Sequence, residues 1–413
     1  MVFIDRLTTS LASIRGQARL LPRQTRSIAL QYRNISYSVA RMSEYKSVAA
    51  TDFKSDTVTT PTPRMLQAML TATHGDDVYK EDKTTNDLQD RIASMAGKPA
   101  GLFVVSGTMG NQLCIRSHLH QPPYSILCDY RAHVYTHEAA GLAMLSQAMV
   151  TPVWPKNKIY LTAEDVRRYL ILGNDIHTAP TRVISLENTL GGAIMPIEEI
   201  AKIAALARKH GLKLHLDGAR IWNASAETGI PISEYAKYFD SISLCLSKGI
   251  GAPIGTVIVG ERDFIETANW FRKQLGGGIR QAGLIAAAAD AALTELFPDK
   301  LKQTHMVAKQ LAKDLYDEFG IVPQIPVDTN FIFLDMEKAK LDPEILIEES
   351  TKLGITVVGA RIAIHHQISP EAIEKLKQAI RNTVRICEEN ARNGKEIDSM
   401  KFCGVYDKIV ADN

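Results

Sequence analysis

The sequence Ser241-Ile242-Ser243-Leu244-Cys245-Leu246-Ser247-Lys248-Gly249-Ile250-Gly251-Ala252-Pro253 decides how the rest of the chain is interpreted. Its first half alternates small polar and apolar residues, which predicts a strand, and its second half is a turn of small residues. Lys248 lies between the two. An amine at the end of an apolar strand can act as a nucleophile and form a Schiff base, although a hydrated lysine is the simpler interpretation. The surrounding sequence has to decide between them.

Composition narrows the class of protein. The chain has 413 residues, of which 45% are hydrophobic and 23% are charged, and its formal net charge is +2. This is typical of a soluble enzyme with enough length for a large core and two domains. The charge indicates no nucleic-acid partner, and no apolar run is long enough to span a membrane. The five cysteines have neither metal-site nor disulfide spacing, which favours a reducing compartment.

Residues 1–48 differ from the rest of the chain, because they are rich in arginine and serine and nearly free of acidic residues. Apolar residues such as Leu7, Leu11 and Ile14 recur there at helical spacing. This composition is typical of a transit peptide, so we predict a mitochondrial protein, with the cytoplasm as the alternative location. A disordered or poorly translated extension is the other interpretation, since Met42 could serve as a start.

Strands and helices are predicted to alternate from Ala100 onward, after helices at 64–73 and 88–96, the second capped by Thr85, Asn86 and Asp87. The strands are predicted at 100–105, 125–128, 149–153, 182–187, 212–216, 242–246 and 256–259, and the helices between them at 112–119, 139–145, 162–171 and 197–210. This alternation predicts an α/β fold with a mostly parallel, doubly wound sheet. Ligands bind such sheets at the carboxyl ends of the strands.

The same pattern predicts the domain organisation. Residues 49–300 are expected to form a large domain with an N-terminal arm. Two helices, at about 280–297 and 299–319, lead to a strand at 330–334 and a βαβ-like remainder that ends in a helix at 370–391. We therefore predict a smaller C-terminal α/β domain over 301–393 and a loose polar tail over 394–413.

A carboxylate is predicted close to Lys248. Asp217 ends an alternating strand and precedes Gly218, which lets the chain turn sharply. A carboxylate in this position can hold a positively charged ring nitrogen, although a helix N-cap is the simpler interpretation. Because Asp217 and Lys248 end successive strands, a doubly wound sheet places them at the same edge.

The turn Ser106-Gly107-Thr108-Met109-Gly110-Asn111 lies between a predicted strand and a predicted helix. Small residues and a hydroxyl at a helix N-terminus form an anion site. The spacing fits neither a Walker loop nor the dinucleotide fingerprint, which favours a single phosphate. Lys273 and Arg280 flank three glycines and could reach the same phosphate, with an ordinary flexible loop as the alternative.

A lysine nucleophile, an aspartate for a ring nitrogen and a site for one phosphate together indicate pyridoxal 5′-phosphate. Further motifs are Lys54–Thr59, Gly75–Tyr79, Ser106–Asn111, Arg131–His133, Glu187–Thr189, His215–Arg220, Cys245–Lys248 and Gly276–Gln281. With these motifs the sequence resembles the threonine aldolase family, pyridoxal-phosphate enzymes of fold type I, in its low-specificity fungal branch. The resemblance covers residues 50–390 and implies the transferase-like fold of that class.

The resemblance also implies a role for each matching residue. Lys248 would carry the cofactor, Asp217 would pair with its ring nitrogen, and His133 would stack on the ring. The other implied cofactor ligands are Gly107, Thr108, Lys273 and Arg280 for the phosphate and Arg220 near the ring hydroxyl. The implied substrate ligands are Ser55, Arg220 and Arg361 for the carboxylate and Tyr79 in the pocket wall.

The family's activity implies retro-aldol cleavage of L-threonine or L-allo-threonine to glycine and an aldehyde, with no metal. Its assembly implies a homotetramer in which each active site lies at a dimer interface, so that Lys273 and Arg280 act across a subunit boundary. The partner predicted for the site is a small amino-acid substrate, and neither nucleic acid nor a membrane.

One departure from the family pattern leaves a second activity open. Many relatives carry a histidine shortly after the Glu-Asn-Thr segment, near the substrate hydroxyl, whereas this chain reads Leu190-Gly191-Gly192 there. His133, His137, a water or the substrate's own geometry would have to replace it, unless the histidine never acted as the base. Alanine racemases of the same family need no hydroxyl base and are the alternative. A catalytically idle pyridoxal-binding or scaffold protein is disfavoured, because Lys248, Asp217 and Arg361 are all present.

Overall fold

The computed structural model describes residues 47–395 and 397. The predicted transit segment over 1–48 lies outside the described residues apart from its last two positions, and most of the predicted tail over 394–413 also lies outside them. The described chain begins with a short 3-10 helix, Val48–Thr51. The N–H of Phe53 then donates to the carbonyl of Thr356 at 2.8 Å, and its carbonyl accepts from Ala363 at 2.8 Å. The N-terminal arm is therefore tied to the C-terminal part of the chain.

A seven-stranded sheet forms the centre of the described chain, in the order β1-β7-β6-β5-β4-β2-β3. The strands are β1 (Ala100–Val104), β2 (Ser125–Asp129), β3 (Met149–Val153), β4 (Thr181–Glu187), β5 (Lys213–Gly218), β6 (Ser241–Cys245) and β7 (Thr256–Gly260). The strands β6, β5, β4, β2 and β3 are parallel, whereas β7 is antiparallel to both of its neighbours. The predicted α/β class with a mostly parallel sheet is confirmed.

Helices connect most of these strands. Those up to β5 are α1 (Pro63–Leu70), α2 (Lys83–Met95), α3 (Gly107–His118), α4 (His133–Thr136), α5 (Gly141–Met144), α6 (Ala163–Tyr169) and α7 (Ile197–Lys209). After β5 come α8 (Ile221–Thr228), α9 (Ile232–Ala236), α10 (Arg262–Gln274), α11 (Gly283–Leu296) and α12 (Asp299–Phe319). Two further 3-10 helices are Asp56–Val58 and Asp77–Tyr79.

Both faces of the sheet are buried. In β2, Leu127 packs in the largest apolar core, whereas its neighbours Ile126 and Cys128 pack in a different one. Successive side chains of a strand point to opposite faces, so this division shows that packed elements cover each face. Burial on both faces also explains why β7 reads as a nearly continuous apolar run, Val257-Ile258-Val259.

Three helix predictions were wrong in their boundaries, and one of them is the helix predicted from Gln112, which begins at Gly107 instead. The helix predicted from Leu88 begins five residues earlier, because the carboxylate of Asp82 accepts from the N–H of Thr85 at 2.9 Å and caps it. The helix predicted over 139–145 is shortened to α5, which begins only at Gly141. Ala139 and Ala140 adopt φ of 51° and 58°, a left-handed conformation that no helix interior contains.

The C-terminal part has its own apolar core, which also includes Phe53 from the N-terminal arm. Its elements are β8 (Phe331–Phe333), α13 (Pro343–Lys352), β9 (Arg361–Ala363) and α14 (Pro370–Arg392). The βαβ-like arrangement was wrong, because β8 and β9 pair antiparallel, with Phe331 opposite Ala363. The domain boundaries near 300 and 393 stay a prediction. None of the helices formed by the described residues is long and apolar enough to cross a membrane.

Candidate active site

The carboxyl edge of the sheet brings together the ends of four strands. Glu187 at the end of β4 lies opposite Asp217 at the end of β5, and Asp217 lies opposite Ser243 in β6. Lys248 follows three residues after β6 ends. Because β7 is antiparallel to both β1 and β6, the turn after β1 opens at this same edge. The strand directions therefore place three predicted features at one sheet edge, namely Lys248, Asp217 and the glycine turn.

Asp217 is held firmly as a hydrogen-bond acceptor. Its Oδ2 accepts from Nδ2 of Asn111 at 2.8 Å, and its Oδ1 accepts from the N–H of Ala219 at 3.0 Å. The residue is 3% exposed. A buried carboxylate with charge-stabilising donors on both oxygens is suited to pair with a protonated ring nitrogen.

His133 begins the short helix α4 next to Asp217. Its Nδ1 donates to Oε1 of Glu138 at 2.8 Å, and its N–H donates to Oε2 of Glu187 at 2.8 Å. Burial opposes the charged imidazole, but the hydrogen bond to Glu138 and the charge of Asp217 outweigh it, so the pKa of His133 is raised. Glu138 thus fixes the orientation of a ring that is predicted to stack on the cofactor.

Sequence reasoning gave no role to Glu187 or Glu138. Burial and the charge of Asp217 raise the pKa of Glu187 to about 7, so it gains and loses a proton near neutral pH. Glu138 lies on a stretch without periodic pattern, five residues after His133. The only available signal was for Glu187, because it is a charged residue at the end of an otherwise apolar strand.

The glycine turn is a helix N-terminus with room in front of it. The hydroxyl of Ser106 accepts from the N–H of Met109 at 3.1 Å and caps α3. A Cβ added at Gly107 would come no closer than 3.9 Å to any neighbour, Cys245 and Thr256 being the nearest. Oγ1 of Thr256 is buried without a hydrogen-bond partner among the described residues. Free N–H groups, space and an unpaired hydroxyl fit the phosphate of the predicted cofactor at Gly107 and Thr108.

The predicted carboxylate ligands lie where the N-terminal arm contacts the chain after β5 and the start of β9. Arg220 donates from Nε and Nη2 to the two oxygens of Asp56, at 2.8 and 2.6 Å. Arg361 donates from Nη2 to the carbonyl of Lys54 at 2.7 Å, and both guanidinium groups lie over the ring of Phe331. Ser55 caps the 3-10 helix that begins at Asp56. The structure thus brings Ser55, Arg220 and Arg361 close together. The guanidinium of Arg220, however, already pairs with the carboxylate of Asp56.

Tyr79, Lys273 and Arg280 form a separate exposed group. Tyr79 is 75% exposed, and the side chain of Arg280 is likewise 75% exposed. The N–H of Asp77 donates to the carbonyl of Arg280 at 2.8 Å, which joins the segments that carry Tyr79 and Arg280. Lys273 packs against Gly278. These residues face outward within one subunit, and their predicted roles stay predictions.

The loop that lacks the expected histidine is packed closely. Gly191 and Gly192 have φ of 58° and 86°. A Cβ at Gly192 would lie 2.9 Å from Cβ of Phe331, so only glycine fits against β8. The contact between this loop and β8 therefore requires a glycine at position 192, within the segment where many relatives carry the histidine.

Ligand atoms of His133, Glu138 and Asp217 lie within 4.8 Å of one another, close enough to surround a metal ion. Nδ1 of His133 is bonded to Oε1 of Glu138, and Glu138 and Asp217 both accept from Nδ2 of Asn111, so these atoms already have hydrogen-bond partners. We therefore assign the cluster to the ring of an organic cofactor.

Comparisons with known proteins agree with this geometry. The model of the beta-eliminating lyase family matches residues 52–339. A low-specificity L-threonine aldolase of Eremothecium gossypii is 54% identical over 343 residues, which are 83% of this chain and 90% of that protein. The corresponding protein of Saccharomyces cerevisiae is 51% identical over 83% of this chain and 88% of its own length. An alanine racemase of Cochliobolus carbonum is 39% identical over 79% of this chain and 86% of its own length.

A solved structure of a threonine aldolase from Leishmania major superposes with a TM-score of 0.68 at 18% identity, covering 81% of this chain and 99% of that one. Fold and site together define a fold-type-I enzyme of the class that uses pyridoxal phosphate. Within that class, the chain belongs to the threonine aldolase family. The family, fold class and cofactor predicted from the sequence are confirmed.

Proposed function

We propose that the protein cleaves L-threonine and L-allo-threonine to glycine and acetaldehyde, with pyridoxal 5′-phosphate held at Lys248. The observation that carries this proposal is the single sheet edge shared by Lys248, Asp217 and the N-terminus of α3. The identity of 54% to a low-specificity L-threonine aldolase supports the choice of reaction. When bound, pyridoxal phosphate supplies a ring that accepts the electrons released at the substrate's Cα.

The residues around this ring set its charge and orientation. Asp217 is held by two N–H donors and can keep a ring nitrogen protonated. His133, fixed by Glu138, can lie along one ring face. Lys248 provides the amine that holds the cofactor, and Gly107 and Thr108 offer N–H groups to its phosphate. The chain would thus hold the ring at its nitrogen through a carboxylate and at its phosphate through backbone N–H groups.

Arg361 and Ser55 are assigned to the substrate carboxylate, with Arg220 behind them. The guanidinium of Arg361 and a carboxylate form paired, charge-assisted hydrogen bonds. Because Arg220 is committed to Asp56 through two hydrogen bonds, its contribution is to keep the 3-10 helix with Ser55 in place. Fixing the carboxylate orients the bond between Cα and Cβ relative to the ring.

We assign removal of the β-hydroxyl proton to His137. Its ring stacks on His133 at a centroid distance of 5.7 Å. Partial burial and the nearby positive charges of His133 and Arg361 lower the pKa of His137, so it is neutral and able to accept a proton at pH 7. His133 is less suited to this step, since its pKa is raised.

A substrate panel tests the function. L-threonine, L-allo-threonine and L-alanine are offered separately to the holoenzyme, and acetaldehyde, glycine and D-alanine are measured. We expect aldehyde and glycine in equal amounts from one or both threonine isomers. D-alanine from L-alanine, with no aldehyde from either threonine, would instead establish the racemase activity that the 39% identical racemase represents.

We also propose a homotetramer whose active sites are completed across subunit boundaries. The exposure of Tyr79 and Arg280 within one subunit supports this arrangement, because both side chains face outward, Arg280 next to Asp76 at 3.5 Å. Mixing Lys248→Ala and Arg280→Ala subunits after dissociation tests it. We expect the mixture to regain activity, since some interfaces then combine an intact lysine with an intact arginine. Mixtures as inactive as the separate variants would contradict a shared site.

Residues 1–48 lead us to propose a mitochondrial enzyme that takes part in threonine breakdown and glycine supply. The support is the arginine-rich, acid-poor composition of this segment. A fluorescent protein fused behind residues 1–48 tests it in cells. Diffuse cytoplasmic fluorescence would contradict the proposal.

A further inference from the structure

A chain of hydrogen bonds runs through the interior from Asp217 away from the carboxyl edge. We call it the buried relay, and its members are Asn111, His215, Ser241 and His118. Oδ1 of Asn111 lies 3.2 Å from Nε2 of His215, and Nδ1 of His215 lies 2.9 Å from Oγ of Ser241. Oγ of Ser241 lies 2.8 Å from Nε2 of His118. All four residues are buried between α3 and the strands β5 and β6.

Asn111 fixes the direction of the first hydrogen bond in the relay. Its amide nitrogen donates to two carboxylates, Oδ2 of Asp217 at 2.8 Å and Oε1 of Glu138 at 2.9 Å. Both N–H groups are therefore used, and ionised carboxylates offer no proton in return. Oδ1 of Asn111 is left as an acceptor, so His215 must donate to it from Nε2.

The state of His215 then fixes the rest of the relay. Burial lowers the pKa of His215 to about 4, so the ring is neutral at pH 7 and carries one proton. That proton is on Nε2, which makes Nδ1 an acceptor. Ser241 consequently donates to His215 and accepts from Nε2 of His118. Every donor in the relay points toward Asn111.

We propose that the buried relay is a positioning device that holds Asn111 as a two-armed donor to Asp217 and Glu138. If the amide turned over, its oxygen would face both carboxylates, which would repel it. The proton on Nε2 of His215 opposes that turn, and the hydroxyl of Ser241 keeps the proton there. This inference rests on the proposed function, in which Asp217 faces the ring nitrogen and Glu138 orients His133.

A matched pair of serine variants tests the relay. Ser241→Ala removes the donor to Nδ1 of His215, so that the ring and the proton on Nε2 are held less firmly against Asn111. Ser243→Ala is the control, because Ser243 lies in the same strand, is 1% exposed, faces Gly110 of α3 and has a hydroxyl with no hydrogen bond among the described residues. The measurements are the Kd of each apoenzyme for pyridoxal 5′-phosphate and the pH at which the visible band of the bound cofactor titrates.

We expect Ser241→Ala to bind pyridoxal phosphate on the order of tenfold more weakly and to shift the titration of the band. Ser243→Ala should match the wild type in both. Wild-type values for both measurements in Ser241→Ala overturn the inference. Wild-type protein that binds no pyridoxal phosphate is a different failure, since it overturns the proposed function itself.

A second pair of variants, at His215, tests the relay if Ser241→Ala does not show a cooperative thermal transition. Glutamine at position 215 keeps an N–H that can donate to Asn111, whereas leucine does not. We expect His215→Gln to retain most of the affinity and His215→Leu to lose about tenfold. Equal affinity in these two variants contradicts a role for the donor.

Discussion

Arg220 and Asp56 form a buried, two-pronged ion pair, with Nε 2.8 Å from Oδ2 and Nη2 2.6 Å from Oδ1. The side chain of Asp56 is 0% exposed and that of Arg220 is 13% exposed. The pair joins the N-terminal arm to the end of β5, 164 residues apart in the sequence. It therefore holds the N-terminal arm, which carries Ser55, against the strand that carries Asp217.

Removing Asp56 is expected to destabilise the fold. Asp56→Ala leaves a buried guanidinium without its carboxylate, so we expect the free energy of unfolding to fall by about 3 kcal/mol. Denaturant titrations measure this loss. Asp87→Ala, which removes an exposed partner of Lys83, is the control and should change stability little. Equal losses of unfolding free energy in the two variants would show that the buried ion pair stabilises the fold no more than an exposed one.

Glu187 gives stability a definite dependence on pH. Its pKa is raised from 4.5 to about 7 in the fold, chiefly by burial, so the folded state favours the protonated carboxyl. The stability contribution is therefore full below pH 4.5 and is lost as the pH rises through 7. Relative to Glu187→Gln, the wild type should lose stability between these values. A pH-independent difference in unfolding free energy between the two proteins would contradict the raised pKa.

Substitutions at two glycines of the turn between β1 and α3 should affect cofactor binding and protein stability separately. A Cβ at Gly110 would lie 2.6 Å from Oγ of Ser243, so Gly110→Ala should push α3 off β6 and cost about 1–3 kcal/mol. A Cβ at Gly107 meets nothing within 3.9 Å. Gly107→Ala should leave the unfolding free energy unchanged and weaken pyridoxal phosphate binding, because the methyl group would fill the open space that we assign to the phosphate. Thermal unfolding and cofactor titration of both apoenzymes measure these effects, and unchanged cofactor affinity in Gly107→Ala contradicts the phosphate assignment.

The parts of the site that could be predicted from sequence are those tied to strand ends. Asp217 lies at the end of one alternating strand and Lys248 follows the next, and parallel pairing brings such ends together. The direction of β7 was not predicted, although its connection from β6, residues 246–255, is too short for a helical crossover. The length of this connection is therefore a sequence feature that predicts an antiparallel β7.

Contacts between polar groups far apart in sequence left no comparable signal. Asp56 meets Arg220, and Asn111 meets His215, across more than a hundred residues. Hydrophobic periodicity reports which face of an element is buried, but not which polar group it meets there. The same limit leaves the ion pair of Arg220 with Asp56 beyond what the sequence predicts.

The most direct test of the account is aldehyde release from L-threonine and L-allo-threonine by the wild type and by Lys248→Ala, each with added pyridoxal 5′-phosphate. Thermal unfolding establishes that the variant is folded, and Lys237→Ala, at an exposed lysine paired with Glu234, is the control. We expect aldehyde from the wild type and the control and none from Lys248→Ala. Wild-type rates in Lys248→Ala, or no aldehyde from a wild type loaded with the cofactor, would contradict the account.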